Sequence, residues 1–231
     1  MTPPPPAGVL IATTNPFKVE RWRRVLQGVT SLVLPGDLHL SLTVEEHAAT
    51  TTENARAKAL AWHHYASPIP VLADDLGLFI QALNGRPGAL MKTWDGQIPE
   101  SATESERMTV LAQTVRDLTD TTCYLETTVA VATSSGRIGH RTLRQHGRID
   151  KTCTLLPHTQ GPLLERVFIF DGYDTSWLDM AASQQREVDA RLRREVTELL
   201  DLHAGEVPAP FGKRAAAPVT ADGSARRGTR R

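Results

Sequence analysis

The chain has 231 residues, 40% of them hydrophobic and 23% charged, with 26 basic residues balanced by 26 acidic ones. This is the composition of a globular chain long enough for one sizeable core or for two lobes sharing a sheet. No apolar run approaches the roughly 18 residues of a membrane span, MTPPPPAG is neither basic nor followed by a signal-type apolar region, and Cys123 and Cys153 show no C-x-x-C spacing; these features argue against a membrane segment, a secretory leader and a cysteine metal site, and lead to the expectation of a cytoplasmic chain with reduced thiols.

Residues 1–7 read as a flexible Pro-rich leader. GVLIAT (8–13) reads as a buried strand and Pro16 to Leu26 as a helix. Thr50 to Tyr65 is a second helix, with Ala55, Ala59 and Trp62 at helical spacing, and IPVLA (69–73) a second buried strand that ends before the aspartate pair. Ser101 to Leu118 is helical, Cys123 to Thr133 alternates with period two, and Arg137 to Gly147 is its hairpin partner. Val167 to Phe170 is the last strand. In the last helix, Ser183 to His203, Val188, Leu192, Val196, Leu199 and Leu200 fall on one core-facing side. From 205 onward, Lys213, Arg214, Arg226, Arg227, Arg230 and Arg231 face only Asp222 in a segment too poor in apolar residues to fold, which reads as a disordered basic tail rather than a nucleic-acid arm. The alternation of strands and helices, without internal repeats, predicts a mixed-sheet α/β architecture spanning 8–204.

Three stretches carry chemistry. In TTNPFKVE, Asn15 can cap a helix, Pro16 suits its first turn and Lys18 projects from it, so that free N–H groups, the hydroxyls of Thr13 and Thr14, an amide and an ammonium converge as a phosphate cradle would require. An ordinary capped helix with a solvated lysine fits the same letters. In VEEHAATTTENARAKAL, Glu45 and Glu46 precede a helix on which Asn54 and Lys58, four residues apart, share a face. Dipole complementarity accounts for Glu53 but not for the glutamate pair. In VLADDLGLFIQALNGRPG, Asp74 and Asp75 follow an apolar run. Strand ends in α/β sheets meet ligands, and two adjacent carboxylates resist joint ionisation unless a hard cation such as magnesium is present. A plain Asp-Asp-x-Gly turn remains the alternative. His63 and His64, adjacent on a helix, cannot both face one ligand and read as partly exposed helix residues.

Taken together, T-x-N-x-x-K, E-E-x(6)-E-N-x(3)-K-A, A-D-D-x-G-L with A-L-x-G-x-P-G behind it, and G-Y-D at 172–174 resemble the inosine triphosphate pyrophosphatase family over about residues 8–203. The resemblance implies an elongated, twisted mixed sheet with flanking helices forming two lobes around a central substrate cleft. It also implies a homodimer, no nucleic-acid or membrane partner, and magnesium-dependent hydrolysis of a nucleoside triphosphate to monophosphate and pyrophosphate. Carried over by motif, Thr13, Thr14, Asn15, Lys18 and Lys58 hold the triphosphate, Glu46 and Asp75 bind magnesium, Asp75 is the base and Asp74 its supporting carboxylate. Release of orthophosphate from another phosphoester, or nucleotide binding without turnover, are the rival readings.

The departures from the family pattern cluster away from the phosphates. Leu76 stands where a serine is typical, and Met91, Lys92 and Thr93 replace serine-alanine-arginine. The base-stacking stretch becomes Ile169, Phe170, Asp171, Gly172, Tyr173 and Asp174. Serine-histidine-arginine becomes Asp189, Ala190 and Arg191, with Gln185 where a lysine is expected. The expectation is an altered base preference, with Asp171 favouring an amino group over a carbonyl.

Overall fold

The computed structural model describes residues 8–152 and 162–204; the leader, Cys153 and the basic tail lie outside them. The fold starts with β1 (Val9–Ile11), α1 (Pro16–Leu26), β2 (Leu32–Val33), α2 (Thr51–Ala66) and β3 (Val71–Ile80), followed by the short β4 (Pro87–Gly88). Then come α3 (Glu104–Val115), the hairpin β5 (Thr122–Ala132) and β6 (Ile138–Ile149), α4 (Leu163–Val167), β7 (Phe168–Phe170) and α5 (Ala182–Ala204). They build one seven-stranded mixed sheet in the order β2-β1-β3-β5-β6-β7, with β4 added on β3.

The helices start where their capping residues dictate. The Asn15 side-chain oxygen accepts from the Phe17 N–H at 2.9 Å with Pro16 in the first turn, and Thr50 Oγ1 accepts from the Glu53 N–H at 3.2 Å. The chain runs β1, α1, β2 to one side of β1, then α2 and β3 to the other, and both β2 and β3 are parallel to β1. Helices α1 and α2 therefore lie on opposite faces of the sheet. Trp22, Val25 and Leu26 of α1 pack with Leu72, Val129 and Val131 and with Leu192, Val196 and Leu199 of α5. Ala55, Ala59 and Trp62 of α2 pack with Val71, Ala73 and Ala130. The reversal of direction at β1 is a topological switch point, where a crevice opens beyond the strand ends. A third core, built on Leu78, Ile80, Leu111 and Phe168, fills the far end of the sheet.

One sequence expectation is corrected here. The strand after α2 does not stop at Ala73; it runs through both aspartates to Ile80. Its partner β5 pairs with it along the whole length, from Val71↔Ala132 to Ile80↔Cys123, a long-range support that a local hydropathy pattern cannot display. On its other edge, β3 pairs with β1 at Val71 and Leu72 and with β4 at Leu78 and Phe79. The stretch 73–77 has no strand partner on that side. Gly77 is needed within the strand rather than in a turn: a Cβ there would lie 2.9 Å from the Gly88 carbonyl oxygen and 2.7 Å from the Phe79 ring.

Candidate active site

The open edge of β3 faces a cleft of about 460 Å³ lined from both faces of the sheet. Because side chains alternate along a strand, Asp74 and Asp75 point to opposite faces, and each is met by its own helix. Asp74 turns toward α1. Its Oδ2 lies 2.9 Å from Lys18 Nζ, and its Oδ1 accepts from Trp22 Nε1 at 3.0 Å. Burial alone would raise this carboxyl, but Lys18, Lys58 and the Trp22 indole hold it down at about 2. Burial likewise works against the Lys18 charge, which Asp74, Glu46 and Asp75 nevertheless hold above its ordinary value.

Asp75 turns toward α2. Asn54 Nδ2 donates to its Oδ2 at 3.1 Å, and the same amide brackets Ala48, accepting from its N–H at 3.0 Å and donating to its carbonyl at 3.3 Å. Asn54 thus pins the segment that carries Glu46 against Asp75. Burial, and then the adjacent Glu46 charge, push the Asp75 carboxyl up to about 6 against the pull of Lys18, Asn54 and Lys58. Lys58 forms an ion pair with Glu46 and donates to the Asp74 carbonyl at 3.0 Å, while Lys18 Nζ lies 3.4 Å from that same oxygen. The carbonyl that the open strand edge leaves without a ladder partner is therefore answered by two ammonium groups, and this fixes both of them at the mouth of the cleft.

Thr13, Thr14, Asn15, Lys18, Glu46, Lys58, Asp75, Leu76 and Phe170 all line the cleft. Asp74 does not, being engaged beneath it. Asp171, Gly172, Tyr173, Asp174 and Arg191 do not line it either. After Phe170 the chain turns outward through Gly172 at φ 87°, and the Asp171 N–H donates to the His146 carbonyl, leaving Asp171 exposed. On α5, Asp189 faces the cleft, and Arg191, about 200° further round the helix, faces solvent. Cys123 is buried and free.

Several lining residues carry no motif. Arg21 and Arg24 follow Lys18 at three-residue steps along one face of α1, a spacing that could have been read as a basic stripe aimed at the same place as the lysine. Trp22 lies four residues beyond Lys18 and shares its contact with Asp74. Gln145, Glu165, Trp177 and Asp189 come from four different segments, and no local pattern joins them.

Glu46 and Asp75 are the pair suited to a divalent cation. Two carboxylates that repel each other would offer a divalent cation the hard oxygen donors it takes. Among the described residues there is no cluster of three or more His, Cys, Asp and Glu able to hold a metal.

A helix N-terminus, two fixed ammonium groups and paired carboxylates at the switch point define an α/β protein whose cleft offers the donors that an anion would need. Within that class the chain belongs to the Ham1 family, whose sequence model matches residues 9–194. The dITP/XTP pyrophosphatase of Caulobacter vibrioides is 30% identical over 191 residues, covering 81% of this chain and 93% of that protein. That of Prochlorococcus marinus is 28% identical over 184 residues, covering 79% and 86%. Among solved structures, a nucleoside-triphosphatase (dITP/XTP pyrophosphatase) from Mycobacterium abscessus superposes with a TM-score of 0.60 at 26% identity, over 83% of this chain and 98% of that one. A HAM1 protein from Coxiella burnetii, at 20% identity, shares the fold with a TM-score of 0.66 over 84% and 98%. The resemblance carried by the sequence motifs and the mixed-sheet architecture it implied both stand.

Proposed function

We propose that this chain is a magnesium-dependent nucleoside triphosphate pyrophosphatase whose base preference differs from that of the dITP/XTP pyrophosphatases it resembles. The observation that carries the reading is the placement of Asp75, Glu46, Lys18, Lys58 and the N-terminus of α1 around one cleft. The names of the relatives support the reaction class.

In this reading the triphosphate lies on the hydroxyls of Thr13 and Thr14, the Asn15 amide and the first-turn N–H groups of α1, with Lys18 and Lys58 against its charge. A water oxygen attacks the α-phosphorus, the bond from that phosphorus to the α–β bridging oxygen breaks, and pyrophosphate leaves with the bridging oxygen. The Asp75 carboxylate takes the proton from the water, and Asn54 keeps that carboxylate aimed. Magnesium held by Glu46 and Asp75 would neutralise phosphate charge and make water more acidic. Asp74 acts from below, by holding Lys18 in place. A cytoplasmic homodimer belongs to the same reading; no helix among the described residues is long and apolar enough to cross a membrane.

The test is a panel of nucleoside triphosphates with magnesium, scored separately for pyrophosphate and orthophosphate. Monophosphate and pyrophosphate in equal amounts are expected. Orthophosphate as the product points to a different phosphohydrolase, and no product at all points to a binding module.

A further inference from the structure

The end of the cleft remote from Asp75 holds charges that the proposed reaction does not use. Asp189 lines it from α5 with its side chain only 12% exposed, and its Oδ2 lies 3.8 Å from Arg24 Nε, too far for a hydrogen bond. Arg24 in turn keeps Nε and Nη2 shut off from solvent without any hydrogen-bond partner among the described residues. Its guanidinium lies over the Trp177 ring at 5.1 Å, which fixes its plane. Phe170 and Trp177, both nearly buried, add flat apolar walls whose ring centroids are 6.2 Å apart. Two buried guanidinium nitrogens without a hydrogen-bond partner are incomplete, and the carboxylate beside them also feels the charge of Arg21. Together they make a long ion pair and not a closed, hydrogen-bonded salt bridge. The tie between α1 and α5 is made elsewhere, by Arg193, which donates to the Val25 and Gln27 carbonyls at 2.8 Å each.

We infer that Arg24 and Asp189 read the edge of a 2-amino-6-oxopurine, so that the substrate is a guanine-type nucleoside triphosphate. This rests on the pyrophosphatase reading above. The edge of such a base presents an acceptor, O6, next to two donors, N1–H and the 2-amino group. The guanidinium donates to O6 through Nη1, the nitrogen that is not shut off from solvent, and the two carboxylate oxygens accept from N1–H and N2–H. Other bases fail this pattern in identifiable ways. Hypoxanthine has nothing at C2, which leaves one carboxylate oxygen without a donor. Xanthine and uracil place a second carbonyl against the carboxylate. Adenine offers the guanidinium an amino group and the carboxylate a lone pair at N1. Asp171, on which a base preference was expected from the sequence, is outside the cleft; the carboxylate inside it is Asp189.

The experiment compares kcat/KM for GTP, ITP, XTP and ATP by pyrophosphate release, first in the wild-type chain and then in Asp189→Asn. The wild type is expected to prefer GTP to ITP and XTP by about tenfold or more, the discrimination a site gains when its buried polar groups would otherwise be left unpaired. In Asp189→Asn an amide nitrogen now donates to the xanthine 2-oxo group, and the GTP-to-XTP ratio is expected to fall by about tenfold or more. Because the readout is a ratio within one enzyme, a general loss of activity does not mimic it. Preference of the wild type for ITP or XTP overturns the inference, as does an unchanged ratio in a folded variant. If no triphosphate yields pyrophosphate, the pyrophosphatase reading fails by itself, and the affinities of the α,β-methylene analogues of the same nucleotides still decide the base. Tightest binding of the guanine analogue supports the inference; any other order, or no binding, overturns it.

Discussion

The two ends of the cleft are built on opposite plans. At the Lys18–Asp75 end most charged groups have a partner within the protein: Lys18 has Asp74, Asp74 also the Trp22 indole, Lys58 has Glu46, and Asp75 the Asn54 amide. At the deep end Arg24 and Asp189 stand at 3.8 Å, and two guanidinium nitrogens have no partner among the described residues. The difference teaches where preorganisation is required. Groups that act on a reacting phosphate must be held before the substrate arrives, because reorganising them during the reaction adds to the barrier. Groups that read a base can wait for the base to complete them.

The contrast can be broken from either side. The largest effect is expected from Asp75→Asn, which removes the proposed base: kcat for pyrophosphate release should fall about 10³-fold, within the range for loss of a general base. Its melting temperature should hold or rise, since a buried carboxyl pushed up to about 6 by burial is replaced by an uncharged amide. A fall of less than about tenfold would move the base elsewhere.

Asp74→Asn should act in the opposite manner, chiefly on stability. It strips the buried partner from Lys18 and should cost about 3 kcal/mol in denaturant unfolding. The pH dependence follows from the same carboxyl. Its folded value, held at about 2, lies below its ordinary value, so its contribution is full above about pH 4 and is lost as pH falls toward 2. Wild-type stability should therefore drop more steeply over that interval than that of Asp74→Asn, by about 2 kcal/mol. Parallel curves would show that Asp74 is not the anchor described.

Asn54→Ala tests whether the acidic pair needs its clamp. Freed from Ala48 and Asp75, the segment carrying Glu46 should loosen, and kcat/KM should fall about tenfold with a stability loss of about 1–2 kcal/mol. Magnesium titrations should show a weakened cation requirement curve in the same variant. The smallest effect is expected at the deep end: Arg24→Met should change unfolding free energy by less than about 1 kcal/mol, because it removes a long ion pair and one cation–π contact but no hydrogen bond. If Arg24→Met destabilises as much as Asp74→Asn, the two ends are equally closed and the contrast is wrong.

Much of the Lys18–Asp75 end of the cleft was legible because its parts are local. Asn15, Pro16 and Lys18 sit within one helical turn, Asn54 and Lys58 are one turn apart, and the capping residues announce where α1 and α2 begin. The motif spacing therefore survives as a pattern of letters. The second strand was ended seven residues too early, at Ala73 instead of Ile80, because Asp74, Asp75 and Gly77 are poor strand residues on local criteria and are held in β3 by β5 across the sheet. That Asp189 lines the cleft and Asp171 does not was hidden for a similar reason: it depends on the turn at Gly172 and on the rotation of α5, neither of which is written in a short window.

By itself, then, the sequence determined the alternation of strands and helices, the family, and which motif residues line the cleft around Lys18 and Asp75, since each of these is encoded in periodicity, capping and spacing over one or two turns. Tertiary structure alone decided that adjacent aspartates serve opposite faces, that two lysines answer one orphaned carbonyl, and that Arg24, Trp177 and Asp189 meet at the far end of the cleft. The physical reason is that these are contacts between segments as much as 165 residues apart in the chain, as Arg24 and Asp189 are, and only the packed sheet brings them within reach of one another.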